Sequence, residues 1–106
     1  MTAREIVQHR LGVAPERIDA FCRKWRIREL SLFGSTLRDD FRPDSDVDLL
    51  VVFEPPNPWT LWDFIDMREE LAQIFGRHVD LVSKKGLRNP FRRHDILTTR
   101  EVIYAA

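Results

Sequence analysis

The chain has 106 residues, the length of one compact domain, and its 43% hydrophobic and 32% charged residues are typical of a globular protein. Its 17 basic side chains equal its 17 acidic ones. This balance gives no overall positive field to hold a nucleic-acid backbone, so we expect no direct nucleic-acid binding.

The cysteine content and the apolar runs indicate the compartment. Cys22 is the only cysteine, which excludes an internal disulfide and agrees with a reducing compartment. We expect Cys22 to be a small core residue on a helix. No apolar run has the length of a membrane span, and the amino terminus lacks the apolar core of a signal peptide. We therefore expect a cytoplasmic protein without membrane contact.

The spacing of apolar residues predicts helices and strands along the whole chain. Thr2 and Glu5 have the spacing of a capping box, and Gly12 and Gly76 are helix stops. Thr60 is a candidate helix cap. The predicted helices cover 2–10, 15–26, 60–75 and 91–98, with a helical turn at 36–40. The predicted strands cover 30–33, 47–53, 79–82 and 101–104, and 47–53 is apolar enough to be central. The fold class is thus α/β or α+β, one small sheet backed by helices, in a single domain with N-terminal helices (1–26) and a core (27–106).

The predicted helix 60–75 and its surroundings offer a core face and a candidate partner surface. Its apolar face is expected to contain Leu61, Phe64, Ile65, Leu71, Ala72 and Phe75. Trp59 and Trp62 stand beside a proline-rich loop, and either a partner patch or core packing explains them. Of the two, we expect Trp59 to be the more exposed.

Aspartates occupy alternate positions at the start of the central strand: Asp44, Asp46 and Asp48. Residues two apart on a strand point to the same face, so the carboxylates of Asp46 and Asp48 project together. A divalent cation would make this arrangement favourable, and oxygen ligands suit Mg²⁺, which substrate phosphates usually complete. An EF-hand is excluded because Leu49 and Pro55 replace the required glycine and glutamate. A solvated strand end that prevents aggregation remains the alternative.

Two further features agree with a phosphate-binding site. Gly34 and Ser35 follow the first predicted strand, where backbone amides and a hydroxyl can hold phosphate oxygens. Taken alone, the pair is more often a turn glycine and a capping serine. Asp80 lies in the strand 79–82 and would face the same site if that strand is a neighbour of 47–53. A charge at a strand edge is the alternative for Asp80.

These motifs together, Gly34-Ser35 with Arg38, then 45–51 (SDVDLLV), then 79–81 (VDL), resemble the nucleotidyltransferase superfamily related to DNA polymerase β. The closest resemblance is to its minimal (MNT) subfamily, the MntA-type antitoxins that pair with HEPN-domain toxins. Leu37 and Asp39 depart from the family pattern, which has a small residue before the arginine and often glycine after it.

The resemblance implies a function and a set of roles. Asp46, Asp48 and Asp80 would bind two Mg²⁺ ions and carry the catalysis, and Gly34, Ser35 and Arg38 would bind the nucleotide. The substrate would be ATP, and AMP would be transferred to a hydroxyl, expected to be a tyrosine of a cognate HEPN toxin. A surface arginine is the alternative for Arg38.

Other functions stay open at this stage. One is an antitoxin that acts by complex formation without catalysis, which Asp39 would favour. Another is a small-molecule nucleotidyltransferase that works as a dimer. A glycosyltransferase also uses an Asp-x-Asp pair but needs a larger domain. The basic segment 84–94 could contact a partner or the phosphates, or be a solvated face. The three histidines show no zinc-ligand spacing.

Overall fold

The structure is a computed structural model that describes residues 2–38 and 41–106. Helices and strands alternate along most of the chain. In chain order the elements are α1 (Ala3–Glu5), a π-helical turn (Ile6–Arg10), α2 (Pro15–Lys24), β1 (Ile27–Phe33), a 3-10 turn (Gly34–Leu37), β2 (Val47–Phe53), α3 (Leu61–Phe75), β3 (Val79–Ser83), a second 3-10 turn (Lys84–Gly86), α4 (Pro90–Thr99) and β4 (Glu101–Ala105).

The N-terminal helices have nearly the predicted bounds. The Thr2 hydroxyl accepts a hydrogen bond from the backbone of Glu5 and begins α1, and the helix then continues with wider π-type hydrogen bonding, in which the Leu11 amide donates to the Ile6 carbonyl. The helix α2 ends two residues before its predicted end because Arg26 has a left-handed backbone (φ 55°) that turns the chain into β1.

The sheet is mixed, with the strand order β3-β2-β1-β4. β1 pairs antiparallel with β2 and β4, and β2 pairs parallel with β3. The predicted central position of β2 is confirmed, and both Leu49 and Leu50 are fully buried although they point to opposite faces. β1 begins three residues earlier than predicted because Ile27 pairs with Phe53 at the far end of β2.

The two faces of the sheet have separate cores. Val47, Leu49 and Val51 point into the main core, which includes residues of α2 and α3, whereas Leu50 packs on the other face with Ile96 of α4. Since Asp48 alternates with these residues, its side chain lies on the α4 face. Cys22 lies in the main core, as predicted, and burial raises the pKa of its thiol to about 12.

The predicted helix 60–75 is confirmed, but its apolar face is partly wrong. Thr60 and Asp63 form a capping box, and Gly76 ends the helix with φ 66°. Met67 and Leu71 are fully buried, whereas Leu61 is 72% exposed. The buried stripe is centred on Met67 and Leu71, and Leu61 is rotated away from it.

The predicted order of tryptophan exposure is also wrong. The indole N–H of Trp59 donates to the Trp25 carbonyl oxygen at 2.8 Å, and the two rings pack edge to face at 5.1 Å. Trp62 is 76% exposed because it projects to solvent from the first turn of α3. Among the described residues, no helix is both long and apolar enough to cross a membrane.

Candidate active site

The strand pairing brings the predicted acidic residues to one end of the sheet. Asp48 on β2 is directly in register with Asp80 on β3, and Phe33, the last residue of β1, pairs with Asp48 on the other side. Asp46 stands just before β2, two residues from Asp48. The expectation that these strands are neighbours is confirmed, so all three aspartates lie at one edge on the α4 face.

Gly34 and Ser35 fold directly against Asp48. The Ser35 amide and hydroxyl donate hydrogen bonds to Asp48 Oδ2 at 3.1 and 2.9 Å. Gly34 has φ 64°, and a Cβ atom at this position would lie 2.7 Å from Asp48 Oδ2. Glycine is therefore required at position 34 both by its backbone conformation and by the close approach of the carboxylate.

Thr36 is a contact of this site that the sequence did not indicate. Its side chain is fully buried, and its hydroxyl accepts a hydrogen bond from the Asp48 amide at 3.0 Å. A buried hydroxyl that accepts a hydrogen bond from a backbone amide of β2 fixes the position of the turn relative to that strand. The predicted turn 36–40 begins at Gly34 instead, and positions 39–40, including Asp39, lie outside the described residues.

His78 is a second residue that sequence reasoning did not assign to the site. Its Nδ1 lies 3.4 Å from Asp46 Oδ2, and both side chains are more than half exposed. The only sequence signal was its position two residues before Asp80. The contact directs the Asp46 carboxylate toward His78 while the Asp48 carboxylate is directed toward Ser35.

The electrostatic environment of Asp48 makes its carboxyl harder to ionise than an ordinary aspartate, because its pKa is raised. Burial raises the pKa of Asp48, and the charges of Asp80 and Asp46 raise it further. The hydrogen bonds from Ser35 act in the opposite direction, because they stabilise the charged form. A carboxylate that is half-buried beside two others is favoured in its charged form when a cation is close.

The donor set fits Mg²⁺ by its chemistry, since three carboxylates offer only oxygen ligands. Within 2–38 and 41–106, however, no three His, Cys, Asp or Glu side chains are grouped in positions ready to hold a metal ion. The contacts of Asp46 with His78 and of Asp48 with Ser35 explain this arrangement. Rotation of these exposed or half-buried side chains would be needed to bring their oxygens together.

Arg38 directly follows the 3-10 turn that begins at Gly34. Its side chain is exposed and borders a cleft of about 730 Å³. The cleft is formed by the N-terminal helix, the turn, α4 and the start of β4. Its lining residues are Ile6, Arg10, Gly34, Leu37, Arg38, Asp95, Thr99 and Glu101.

The basic segment 84–94 begins away from the aspartates. Lys84 follows Ser83, the last residue of β3, so roughly 10 Å of strand separates Ser83 from Asp80. Arg92 and Arg93 of the same segment lie on α4, which covers the sheet face that carries Asp48. A partner surface, phosphate contacts and a solvated face all remain explanations of the segment.

This chain has clear relatives among known sequences. The family pattern described as "Nucleotidyltransferase domain" matches residues 15–103. "Protein adenylyltransferase MntA" of Thermococcus cleftensis is 38% identical over 81 residues, which cover 76% of this chain and 77% of that protein.

Solved structures have the same fold. A "putative minimal nucleotidyltransferase" is 33% identical and covers 94% of both chains with a TM-score of 0.69. A toxin–antitoxin structure with AMP-PNP has a TM-score of 0.71 at 18% identity, covering 89% of this chain and 75% of that one. A complex of a tri-AMPylated Shewanella oneidensis HEPN toxin with an MNT antitoxin has a TM-score of 0.62 at 17% identity, covering 87% and 70%.

The mixed sheet brings in-register aspartates beside a Gly-Ser turn, an arrangement that suits the binding of nucleotide phosphates. With the family match over most of its length, the chain belongs to the nucleotidyltransferase domain family. The solved structure that it resembles at 33% identity is described as a minimal nucleotidyltransferase.

Proposed function

We propose that this chain is a Mg²⁺-dependent protein adenylyltransferase that moves AMP from ATP to a tyrosine of a cognate HEPN-domain toxin and thereby acts as its antitoxin. The observation that carries the proposal is the alignment of Asp48 with Asp80 beside the Gly34-Ser35 turn. The names of the relatives, an adenylyltransferase and an MNT antitoxin with an AMPylated HEPN toxin, support the choice of acceptor.

The turn at Gly34 supplies the donors for the triphosphate. The Ser35 amide and hydroxyl, which donate to Asp48 here, are the groups that would bind β- and γ-phosphate oxygens. A phosphate that takes these donors releases the Asp48 carboxylate for other ligands. Arg38 follows in the same turn and adds a positive charge at the phosphate end of the substrate.

The reaction is a displacement at the α-phosphorus of ATP. The tyrosine oxygen forms a bond to this phosphorus, and the bond from the phosphorus to the oxygen that bridges to the β-phosphate breaks. The products are the AMP–tyrosine ester and pyrophosphate. Asp80, in register with Asp48 and exposed, is the candidate acceptor for the tyrosine proton.

Asp46, Asp48 and Asp80 would hold two Mg²⁺ ions. When bound, Mg²⁺ lowers the pKa of the attacking hydroxyl and neutralises the negative charge of the triphosphate. The carboxylates themselves would position the ions. Burial, and to a smaller extent the charges of Asp80 and Asp46, raise the pKa of Asp48, and bound cations would offset both effects.

The acceptor is expected on a second protein. We propose that residues 1–106 form one nucleotidyltransferase domain, built from the four strands and their helices. The toxin would supply the tyrosine, and the basic segment 84–94 and the exposed Trp62 are candidate contacts for it. Because the reaction uses ATP and an intracellular toxin, the proposed location is the cytoplasm.

A transfer assay tests the proposal. The chain is incubated with the HEPN toxin encoded beside it, with Mg²⁺, and with ATP radiolabelled at either the α- or the γ-phosphate. Label from the α-phosphate is expected on the toxin, and label from the γ-phosphate is expected in pyrophosphate. Asp46→Asn should abolish transfer, whereas Asp44→Asn, an exposed neighbour in the turn, should retain it.

Other results would point to the alternatives. A stable complex with the toxin but no label would favour an antitoxin that acts by binding alone. Label on a small hydroxyl compound in the absence of the toxin would favour a small-molecule nucleotidyltransferase. Full transfer by Asp46→Asn would refute the assignment of the acidic site.

A further inference from the structure

We propose that Arg10 is a positioning residue of the nucleotide site, through which the N-terminal segment (residues 2–14) fixes the turn that carries Gly34 and Ser35. The proposal rests on the proposed function, since the site that Arg10 organises is the ATP site. It extends the site to a residue that lies before the matched family region 15–103.

Arg10 is joined to the turn by two hydrogen bonds. Its Nη1 donates to the carbonyl oxygens of Thr36 at 3.2 Å and of Arg38 at 3.0 Å. One guanidinium nitrogen therefore connects the middle of the turn to the residue that follows it. Hydrogen bonds from a charged donor are stronger than neutral ones, so this pair restrains the path of the backbone.

Contacts through Thr36 extend this restraint to β2, the strand that carries Asp48. The Thr36 carbonyl accepts from Arg10, while the Thr36 hydroxyl accepts from the Asp48 amide at 3.0 Å. The adjacent Ser35 donates twice to the Asp48 carboxylate. A shift of the turn thus changes the direction of the Ser35 donors and the position of Asp48 together.

The cleft makes these hydrogen bonds important. Gly34, Leu37 and Arg38 border an open cleft of about 730 Å³, although Leu37 also packs against the main core. Arg10 lines the same cleft and reaches the turn from the N-terminal helix. The loss of its two hydrogen bonds would leave the turn less restrained on the side of the cleft.

The test compares Arg10→Gln with a matched variant of the same segment, Arg4→Gln. Arg4 pairs with Asp19 at 3.1 Å and donates to the Ile103 carbonyl at 3.3 Å, and neither partner belongs to the turn. Both changes remove one charge and the contacts with two tertiary partners of the N-terminal segment. Only the change at Arg10 removes hydrogen bonds of the Gly34 turn.

Four quantities are measured for the full chain: the KM for ATP, the kcat of transfer to the toxin, the melting temperature, and the hydrogen-exchange rate of the Asp48 amide by NMR. Arg10→Gln is expected to raise the KM for ATP about tenfold, because a displaced turn would present the Ser35 donors less favourably to the phosphates. It should also speed exchange of the Asp48 amide. Arg10→Lys, which keeps a cationic donor, should restore part of the KM.

The outcomes separate the two proposals. An unchanged KM in Arg10→Gln, or an equal rise in Arg4→Gln, would overturn the positioning role and reduce Arg10 to a general structural contact. A wild-type chain that transfers no AMP would overturn the proposed function, and with it the link to ATP. Even then the Asp48 exchange rate would decide whether Arg10 holds the turn, because it needs no substrate.

Discussion

At Gly34, both the left-handed backbone and the nearby Asp48 carboxylate disfavour a side chain with a Cβ atom. We predict that Gly34→Ala destabilises the fold by about 2 kcal/mol and lowers AMP transfer at least tenfold, because left-handed backbone geometry costs about 1 kcal/mol for alanine and the new Cβ meets Asp48 Oδ2 at 2.7 Å. Urea denaturation and the transfer assay measure the two effects.

Gly12 offers a matched control for this substitution. It has φ 69°, and a Cβ atom there would meet nothing within 4 Å. Gly12→Ala should therefore cost about 1 kcal/mol from backbone strain alone and leave transfer intact. Equal losses of activity in both variants would show that the contact with Asp48 has no part in the effect.

The Asp48 carboxylate is expected to lower the free energy of unfolding at neutral pH, although the proposed function requires it. Burial raises its pKa above the ordinary value of 3.8, so the folded state keeps the proton to higher pH than the unfolded chain does. Stability therefore falls as the pH rises from below 3.8 through the raised folded pKa, and the full cost persists above it. We predict that Asp48→Asn stabilises the protein at neutral pH.

The pH dependence of stability distinguishes the effect of the raised Asp48 pKa from a general effect of the substitution. The gain from Asp48→Asn should vanish below the ordinary pKa of 3.8, where both states are protonated. Chemical denaturation in Mg²⁺-free buffer at several pH values measures it, with Asp44→Asn as the exposed control, for which we expect a small effect. A loss of stability in Asp48→Asn at neutral pH would contradict the prediction.

The sequence was sufficient for some residues of the site and insufficient for others. Gly34, Ser35, Asp46, Asp48 and Asp80 could be proposed because their types, order and spacing form a pattern that local chemistry explains. Their roles in metal and nucleotide binding remain predictions.

Thr36, His78 and Arg10 could not be proposed in this way. Their importance comes from contacts with residues distant in the chain, as between Arg10 and Thr36, which are separated by 26 positions in the sequence. A hydrogen bond of this range depends on how separate elements pack, which hydrophobic periodicity does not specify.

At the scale of elements, the structure at the start of α3 reverses the order of tryptophan exposure that was expected from the sequence, and this order predicts stability. Trp59 donates a hydrogen bond to the Trp25 carbonyl and packs on its ring, whereas Trp62 is largely exposed. We predict that Trp59→Ala lowers the free energy of unfolding by about 2 kcal/mol or more and that Trp62→Ala changes it by less than about 0.5 kcal/mol.

Urea denaturation followed by circular dichroism compares the two variants, because this signal does not depend on tryptophan fluorescence. A larger loss in Trp62→Ala than in Trp59→Ala would contradict the described packing. If Trp62→Ala also weakens binding to the toxin without loss of stability, the exposed ring belongs to the partner surface.

The bounds of the elements were predicted where a local signal marks them. Thr60 and Gly76 delimit α3, since a capping side chain and a left-handed glycine act within one turn. The start of β1 at Ile27 was missed because it is set by pairing with Phe53, a partner in another strand. The exposure of Leu61 was missed because it depends on which side of α3 meets the sheet.

At the scale of the whole molecule, the mixed sheet is what creates the site. The antiparallel pairing of β1 with β2 places the end of β1 beside the start of β2, and the parallel pairing of β2 with β3 places Asp80 beside Asp48. Three chain segments thus meet at one edge, with α4 covering the same face. The alternation of apolar residues predicted the strands, but their order and direction required the resemblance or the structure.

The central claim is that this edge transfers AMP to a protein. The most direct measurement is the intact mass of the HEPN toxin after incubation with this chain, ATP and Mg²⁺, repeated with Asp46→Asn and with Asp44→Asn. The account predicts that the toxin gains one or more AMP units with the wild-type chain and with Asp44→Asn, and none with Asp46→Asn. An unchanged toxin mass with the wild-type chain, or the same gain with Asp46→Asn, would contradict it.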